Sequence, residues 1–236
     1  MADKYIEKSI YYFTKPGKPN TEDTLRFVKA RADELDIDTI CISTDTGYTV
    51  FKALEILPDK KLVAVSGQYG AGSRVGQSSM TQEAHQKLLK AGVKVVWGTQ
   101  PLSNIDRAIR RMWGGITPVY LIAQILKLFG EGMKVVFEVA VMAADAGAIP
   151  MDREIIVVAG TIRGADTAVV MIPAHSNNFF GFLLKEIICM PRGRIPGRWW
   201  TDPDEHGREY EPRVGRSRFV GEKVDIEHGG IEDEAD

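Results

Sequence analysis

The chain has 236 residues, 44% of them hydrophobic, and a formal net charge of −2 at pH 7. This length fits one large domain, or one domain with an extension, and the apolar content is enough for a sizeable core. So small a net charge creates no overall field that would draw the chain to nucleic acid or to an anionic membrane, and we expect neither partner.

Strands and helices alternate along the first part of the chain. The predicted strands cover residues 5–13, 39–43, 61–66, 93–98, 154–160, 167–172 and 183–190. The predicted helices cover residues 20–35, 50–57, 80–90, 105–112, 118–129 and 133–146. The valines of 133–146 favour a strand, but its length and its ending in Ala-Ala-Asp-Ala-Gly favour a buried helix, which we choose.

This order predicts an α/β fold, a three-layer α/β/α sandwich with a mostly parallel sheet. Residues 154–160 and 167–172 are joined by a short turn, which predicts an antiparallel edge. Cys41 and Cys189 lie in apolar runs and should be buried free thiols, as suits a reducing cytosol. No charged N-terminal segment precedes an apolar one, and no apolar run is long enough to span a bilayer, so we expect a cytoplasmic protein.

The turn at residues 44–49 follows a buried strand and precedes a helix. The first N–H groups of a helix lack intrahelical partners and, with the helix dipole, suit a phosphate. Thr44, Thr46 and Thr49 could add hydroxyl hydrogen bonds, and Gly47 permits close approach of the backbone. The alternative is an ordinary N-cap, in which Thr or Asp caps the helix and binds nothing.

Three further loops follow predicted strands, at residues 67–76, 99–104 and 161–166. The first has four glycines in ten residues, with Tyr69 and Arg74 available, and either covers a ligand or is a plain surface connection. Because ligands of open parallel sheets lie beyond the carboxyl ends of the strands, the loops together favour one anionic-ligand site. Within the last loop, Arg163 and Asp166 could pair with each other or with a ligand.

Two residues are candidates for acid–base chemistry. His175 lies in a polar cluster with Asn177 and Asn178, and is either a general acid or base, a ligand contact, or a structural loop residue. Asp145 is either a buried, hydrogen-bonded carboxylate, which we favour, or a catalytic one. No Cys/His set has zinc spacing, so no metal is predicted.

The composition changes at residue 191, so we divide the chain into a domain over residues 1–190 and a C-terminal extension over 191–236. The extension holds 12 acidic and 8 basic residues. Arg192, Arg194 and Arg198 beside Trp199-Trp200 could contact nucleic acid, but we favour an arm that packs on the domain or on a partner subunit. Residues 222–236 are acidic and are expected to be solvated and disordered.

Five segments carry a resemblance to a known family. They are YFTKPGKPNTEDTL (12–25), STDTGYT (43–49), EVAVMAADAGAIP (138–150), RGADTAVVMIPAHSNNFF (163–180) and KEIICMPR (185–192). Together they resemble the stand-alone archaeal and bacterial proteins described as pyruvate kinase C-terminal-domain-like. The resemblance implies a three-layer α/β/α fold with an antiparallel edge strand. It implies no pyruvate kinase chemistry, because the barrel domain that transfers the phosphoryl group has no counterpart in these segments.

The same resemblance implies FMN as the cofactor, because relatives are seen with it. The phosphate would lie at Thr44, Thr46, Gly47, Tyr48 and Thr49, because the similar loop of pyruvate kinase holds a phosphate of its allosteric sugar bisphosphate. From strand-end geometry we expect the ring system among the following loop residues: Gly67, Gln68, Tyr69, Gly98, Thr99, Gln100, His175 and Asn177.

Three function classes stay open. The first is a flavin enzyme with His175 or Asp145 as acid or base. The second is a regulatory binding protein that needs neither residue. The third is a protein whose true ligand is a sugar phosphate or another nucleotide. The expected partner is a phosphorylated small molecule, and self-association into a homo-oligomer is left open.

Overall fold

The computed structural model describes residues 4–70 and 75–193. The strands are β1 Tyr11–Phe13, β2 Thr39–Ser43, β3 Lys61–Gly67, β4 Lys94–Gly98, β5 Ile155–Ala159, β6 Thr167–Ile172 and β7 Leu183–Pro191. The helices are α1 Thr21–Glu34, α2 Tyr48–Ile56, α3 Gln82–Lys90, α4 Asn104–Trp113, α5 Pro118–Lys127 and α6 Glu131–Asp145. Two short 3₁₀ helices cover Lys18–Asn20 and Ser176–Gly181.

The strands form one sheet in the order β1-β7-β6-β5-β2-β3-β4. β2 pairs in parallel with β3 and β5, β3 with β4, and β1 with β7, whereas β6 is antiparallel to both β5 and β7. The predicted mostly parallel sheet with a late antiparallel strand pair is therefore confirmed, and the reversed strand β6 lies between β5 and β7 rather than at the outer edge that was predicted for it. It follows that every strand except β6 has its carboxyl end at one edge of the sheet, called here the carboxyl edge. β6 ends at the opposite edge, called the amino edge.

Helices cover both faces of the sheet, which confirms the three layers. The core on one face contains residues of α1, α2 and α3 with Ile40 and Ile42 of β2. The core on the other face contains residues of α6 with Cys41. Neighbouring residues of a strand enter opposite cores because side chains alternate between the two faces. A strand buried on both faces needs a continuous apolar run, as β5 and β6 have.

The valine-rich segment 133–146 is helical, as predicted. α6 is buried along most of its length, with Val136, Ala140 and Ala143 fully inaccessible to solvent. Packing on the sheet below and on α5 above outweighs the strand preference of valine, because tertiary burial contributes more than propensity.

The predicted first strand is too long at its N-terminal end. Of residues 5–13, only Tyr11–Phe13 pair with the sheet, and Tyr5 and Ile6 are 75% and 79% exposed. The predicted free thiols are confirmed, since Cys41 and Cys189 are unpaired and buried. In the described part of the chain, none of the helices has the length and apolarity needed to cross a bilayer.

Candidate functional site

Loops that follow five of the strands meet at the carboxyl edge. The four loops predicted from the sequence, at residues 44–49, 67–76, 99–104 and 161–166, follow β2, β3, β4 and β5. The loop at residues 14–20, which follows β1, joins them and was missed. Its signal was the Lys-Pro-Gly-Lys-Pro run at residues 15–19, which directly follows the first predicted strand.

The shape of the 44–49 turn depends on Gly47 and Thr44. Gly47 has φ of 92°, and its N–H donates to Thr44 Oγ1 at 3.0 Å. A Cβ at Gly47 would lie 2.9 Å from Phe51 Cε2, so only glycine fits. The N-cap residue of α2 is Gly47, which has no side chain, so neither Thr nor Asp occupies the N-cap position that the ordinary alternative assigned to them. Thr44 and Thr49 are buried, while Thr46 is exposed at the tip of the turn.

A surface groove of about 450 Å³ lies beside this turn. It is lined by Lys18, Pro19, Thr21, Glu22, Asp23, Arg26 and Tyr48. The Lys18 ammonium lies 4.3 Å from the centre of the Tyr48 ring, at the first residue of α2. Arg26 pairs with Glu22 and Asp23, at 3.8 and 3.2 Å. Within the described residues, Lys18 takes part in no ion pair and is the cation of this groove that a ligand can use.

Asp166 is a structural residue, and its predicted role as a ligand contact or as a partner of Arg163 is wrong. Its side chain is fully buried, and Oδ2 accepts hydrogen bonds from Gly17 N at 2.7 Å and Thr161 N at 3.2 Å. Oδ1 accepts from the Thr167 hydroxyl at 2.9 Å. The carboxylate therefore fastens the 14–20 loop to the 161–166 turn.

Thr21 makes a second connection between the same two loops. Its hydroxyl donates to Lys18 O at 2.7 Å and accepts from Ala165 N at 3.1 Å. Gly164 packs so closely on Lys18 and Thr21 that a Cβ there would lie 2.4 Å from Thr21 Oγ1. These contacts fix the backbone of Lys18, while Arg163 stays exposed on the outside of the turn.

A buried ionic cluster lies at the carboxyl edge on the α6 side, and sequence reasoning missed it. Glu138 Oε1 accepts from Leu102 N at 3.1 Å and from Ser103 Oγ at 2.9 Å. Lys134 pairs with Glu138 and contacts Ser103. Burial lowers the pKa of the Lys134 ammonium, and the neighbouring Glu138 carboxylate opposes that effect. The available signal was an i,i+4 Lys–Glu pair inside an apolar run.

The predicted ring-binding residues Gly67, Gln68 and Gln100 lie beside this cluster. Gln68 Oε1 accepts from Asn104 Nδ2 at 2.6 Å. The cavity that Gly67, Gln100 and Glu138 line measures about 10 Å³, which is room for a single water molecule. A flavin ring cannot enter it.

Tyr69 and Thr99 are exposed at the same edge and remain available to a ligand. The Tyr69 ring is 49% exposed and lies 5.9 Å from Trp97, which in turn contacts His85 at 4.5 Å. Trp97 belongs to the core on the α1–α3 face, the face that also carries α2. An aromatic surface therefore lies on the same side of the sheet as the 44–49 turn.

His175 and Asn177 lie at the amino edge together with Asp145, so the predicted place of His175 and Asn177 beside the other loops is wrong. His175 follows β6, which runs against its neighbours, and Asp145 ends α6. Asp145 Oδ1 accepts from Ser176 N at 3.1 Å and lies 3.2 Å from His175 Nδ1. Burial alone would raise the pKa of Asp145, but the hydrogen bonds from Ser176 and His175 outweigh that effect and lower it.

Several predicted features fall outside the described residues. They are Arg74 of the 67–76 loop, Arg194, Arg198, Trp199 and Trp200 of the extension, and the acidic residues 222–236.

Comparison with known proteins places these loops in a known kind of domain. The family model described as pyruvate kinase, alpha/beta domain, matches residues 22–171, which include the 44–49 and 161–166 turns. This match confirms the resemblance seen in the sequence. Among solved structures, the chain is similar to Cryptosporidium parvum pyruvate kinase in complex with ADP, with 15% identity and a TM-score of 0.30. That match covers 72% of this chain and 24% of that one, so the chain spans about a quarter of the length of that pyruvate kinase.

Proposed function

The chain belongs to the pyruvate kinase alpha/beta domain family, and we propose that it binds a phosphorylated small molecule at the carboxyl edge of its sheet. The phosphate lies on the 44–49 turn. The observation that carries this proposal is the start of α2, where Gly47 is the N-cap residue, takes a left-handed conformation and has no side chain of its own to cap the helix. The N–H groups of the first helical turn, which lack intrahelical partners, and the helix dipole favour an anion there.

Two features beside the turn support an anion more specifically. The Thr46 hydroxyl is exposed at the tip and can donate to a phosphate oxygen. Lys18 brings an ammonium to the first residue of α2, on a backbone fixed by Asp166 and Thr21. A positioned cation and pre-formed donors favour a dianion, since hydrogen bonds to charged groups are the stronger ones.

FMN is the first ligand to test, since the resemblance implies it and Tyr69 offers a half-exposed ring on the α2 side of the sheet. Aromatic rings stack in offset or tilted arrangements, which suits the surface of Tyr69 and Trp97. A sugar phosphate or another nucleotide would use the same phosphate contacts and is the alternative ligand.

The proposal is one of binding and assigns no reaction. The His175–Asp145 pair lies at the amino edge, away from the proposed site, and therefore supplies no acid or base to a ligand bound at the 44–49 turn. A regulatory binding protein needs no such group.

Flavin titration of the purified full chain tests the proposal. We expect the fluorescence of FMN to be quenched when it binds the protein, and the titration to saturate at one FMN per chain. The affinity should be micromolar or tighter, which is about −8 kcal/mol or better. Riboflavin, which lacks the phosphate, should bind at least about 100-fold more weakly, because two charge-assisted hydrogen bonds are worth that much. Equal affinity for FMN and riboflavin would contradict phosphate recognition. If FMN gives no response, sugar phosphates and nucleotides are titrated next, and no response to any of them overturns the proposal.

A matched pair of variants locates the phosphate. Lys18→Met should weaken binding of the phosphorylated ligand about 5–10-fold, since one exposed cation near a dianion contributes about 1 kcal/mol. Lys15→Met removes the same charge from the same loop and should leave the affinity within about twofold, because Lys15 does not line the groove. Equal effects of the two substitutions would show a general charge effect rather than a site at Lys18.

A further inference from the structure

α4 directs one charged pair, Asp106 and Arg110, toward the protein. The Asp106 side chain is 4% exposed, and it accepts from Arg110 Nε at 2.9 Å and from the Thr117 hydroxyl. The Arg110 guanidinium lies 3.9 Å from the centre of the Tyr120 ring of α5. These polar contacts connect α4 to α5. In most helix pairs, apolar side chains make the contacts between the helices.

The apolar side of α4 faces solvent. Ile105, Ile109 and Met112 recur at helical spacing and are 69%, 40% and 69% exposed, and Trp113 beside them is 78% exposed. A surface helix ordinarily buries its apolar side, whereas α4 leaves its large apolar residues exposed. The polar contacts of Asp106 do not offset the free-energy cost of leaving four large apolar side chains exposed to water.

The exposed apolar surface continues past α4. Ile116 follows in the connection, α5 presents Leu121 and Ile125 at helical spacing, and Leu128 and Phe129 come directly after the end of α5. We call these residues the α4–α5 surface: Ile105, Ile109, Met112, Trp113, Ile116, Leu121, Ile125, Leu128 and Phe129.

We propose that the α4–α5 surface is the interface of a homodimer, in which it meets the same surface of a second copy of this chain. From their exposed fractions, these residues present on the order of 1,000 Å², above the roughly 800 Å² that each partner contributes to a standard interface. The largest apolar patch of a typical monomer is about 300–600 Å². A second copy supplies an equal area of the same chemistry, as a two-fold interface requires.

The composition of the surface also fits an interface between copies. Its centre combines aromatic, methionine and branched aliphatic side chains, and the exposed Arg107 and Arg111 of α4 flank it. Aromatic residues, methionine and arginine are the types enriched at protein interfaces. The third arginine, Arg110, is already neutralised by Asp106, so it adds little repulsion between two copies.

Sedimentation analysis of the full chain at several concentrations tests the interface. The wild-type protein should be a dimer, and Trp113→Arg and Ile109→Asp should each weaken the dimer about 30-fold or more, as expected for residues at the centre of an interface. Phe180→Arg is the matched control, because Phe180 is 85% exposed but lies outside the α4–α5 surface. It should leave the dimer intact. Circular dichroism checks that all three variants stay folded.

A monomeric wild-type protein, or a dimer that survives both substitutions, would overturn the proposal. A photo-crosslinking residue at position 109, in a mixture of ¹⁴N- and ¹⁵N-labelled protein, identifies what covers the surface. Crosslinks between differently labelled copies within residues 102–129 support the dimer. Crosslinks into residues 194–236 would instead show that the C-terminal extension covers the surface, and would overturn the proposal. The ligand site shares none of these residues, so failure of one proposal does not imply failure of the other.

Discussion

Gly47 controls the shape of the 44–49 turn. A side chain there meets two obstacles, the left-handed φ of 92° and the Phe51 ring, 2.9 Å from an added Cβ. We expect Gly47→Ala to lower the free energy of unfolding by about 2–4 kcal/mol, as the sum of a conformational and a steric cost. Urea denaturation of the full chain measures it.

Gly115→Ala separates the two costs. Gly115 has φ of 82°, but an added Cβ has no atom within 4 Å. It should therefore cost only the conformational part, about 1–2 kcal/mol. If Gly47→Ala and Gly115→Ala lower the free energy of unfolding by the same amount, the contact with Phe51 does not constrain the turn.

Substitution of Asp166 tests whether its hydrogen bonds hold the loops of the site together. Asp166→Ala leaves the N–H groups of Gly17 and Thr161 without their acceptor, and each such loss costs about 1–3 kcal/mol. We expect a total loss of about 2–5 kcal/mol in the free energy of unfolding. Asp166→Asn keeps one oxygen for the two N–H groups and lets the Thr167 hydroxyl accept from the new amide, so it should cost clearly less. Equal losses for Ala and Asn would show that the hydrogen bonds are not what stabilises the loops.

At the scale of elements, α4 and α5 depend on one another through Asp106. Burial alone would raise the pKa of Asp106, but the hydrogen bonds from Thr117 and Arg110 outweigh that effect and lower it. A carboxyl group whose pKa is lowered by folding stabilises the protein above its unfolded pKa, and this contribution is lost as the pH falls through its folded pKa. The wild-type protein should therefore lose this contribution below about pH 4, near the ordinary pKa of 3.8.

Asp106→Asn tests this linkage. At pH 7 the substitution should cost about 1–3 kcal/mol in the free energy of unfolding, and the difference from wild type should shrink as the pH falls below about 4. Glu55→Gln, at a side chain that is 66% exposed, is the control and should stay within about 0.5 kcal/mol of wild type at pH 7. A difference for Asp106→Asn that is the same at acid and neutral pH would contradict the assigned role.

Most elements could be predicted from the sequence because their signals are local. β2, β6 and α6 follow from runs of apolar residues whose length and ends distinguish strand from helix. The start of α3 follows from Thr81, whose hydroxyl accepts from Ala84 N. The role of Asp166 could not be predicted, because its partner Gly17 lies 149 residues away and no local pattern encodes that contact.

At the scale of the whole molecule, strand direction decides which candidate residues meet. The antiparallel pair β5–β6 was predicted from the sequence. Because a reversed strand places its exit loop at the opposite edge, this pairing puts His175 at the amino edge. Thr44, Thr46, Gly47, Tyr48 and Thr49 lie at the carboxyl edge because β2 is parallel to its neighbours. The exposed side of α4 was not predictable, because the same apolar spacing is typical of a helix packed on its own core.

The central claim is that a phosphate lies on the 44–49 turn, and amide chemical shifts test it most directly. Two-dimensional ¹H–¹⁵N NMR of the full chain, titrated with FMN and then with riboflavin, reports on each backbone N–H separately. We predict that FMN produces its largest shifts at residues 46–49 and at Lys18, and that riboflavin produces none at residues 46–49. Shifts confined to other residues, such as the amino edge around Asp145 and His175, would contradict the account.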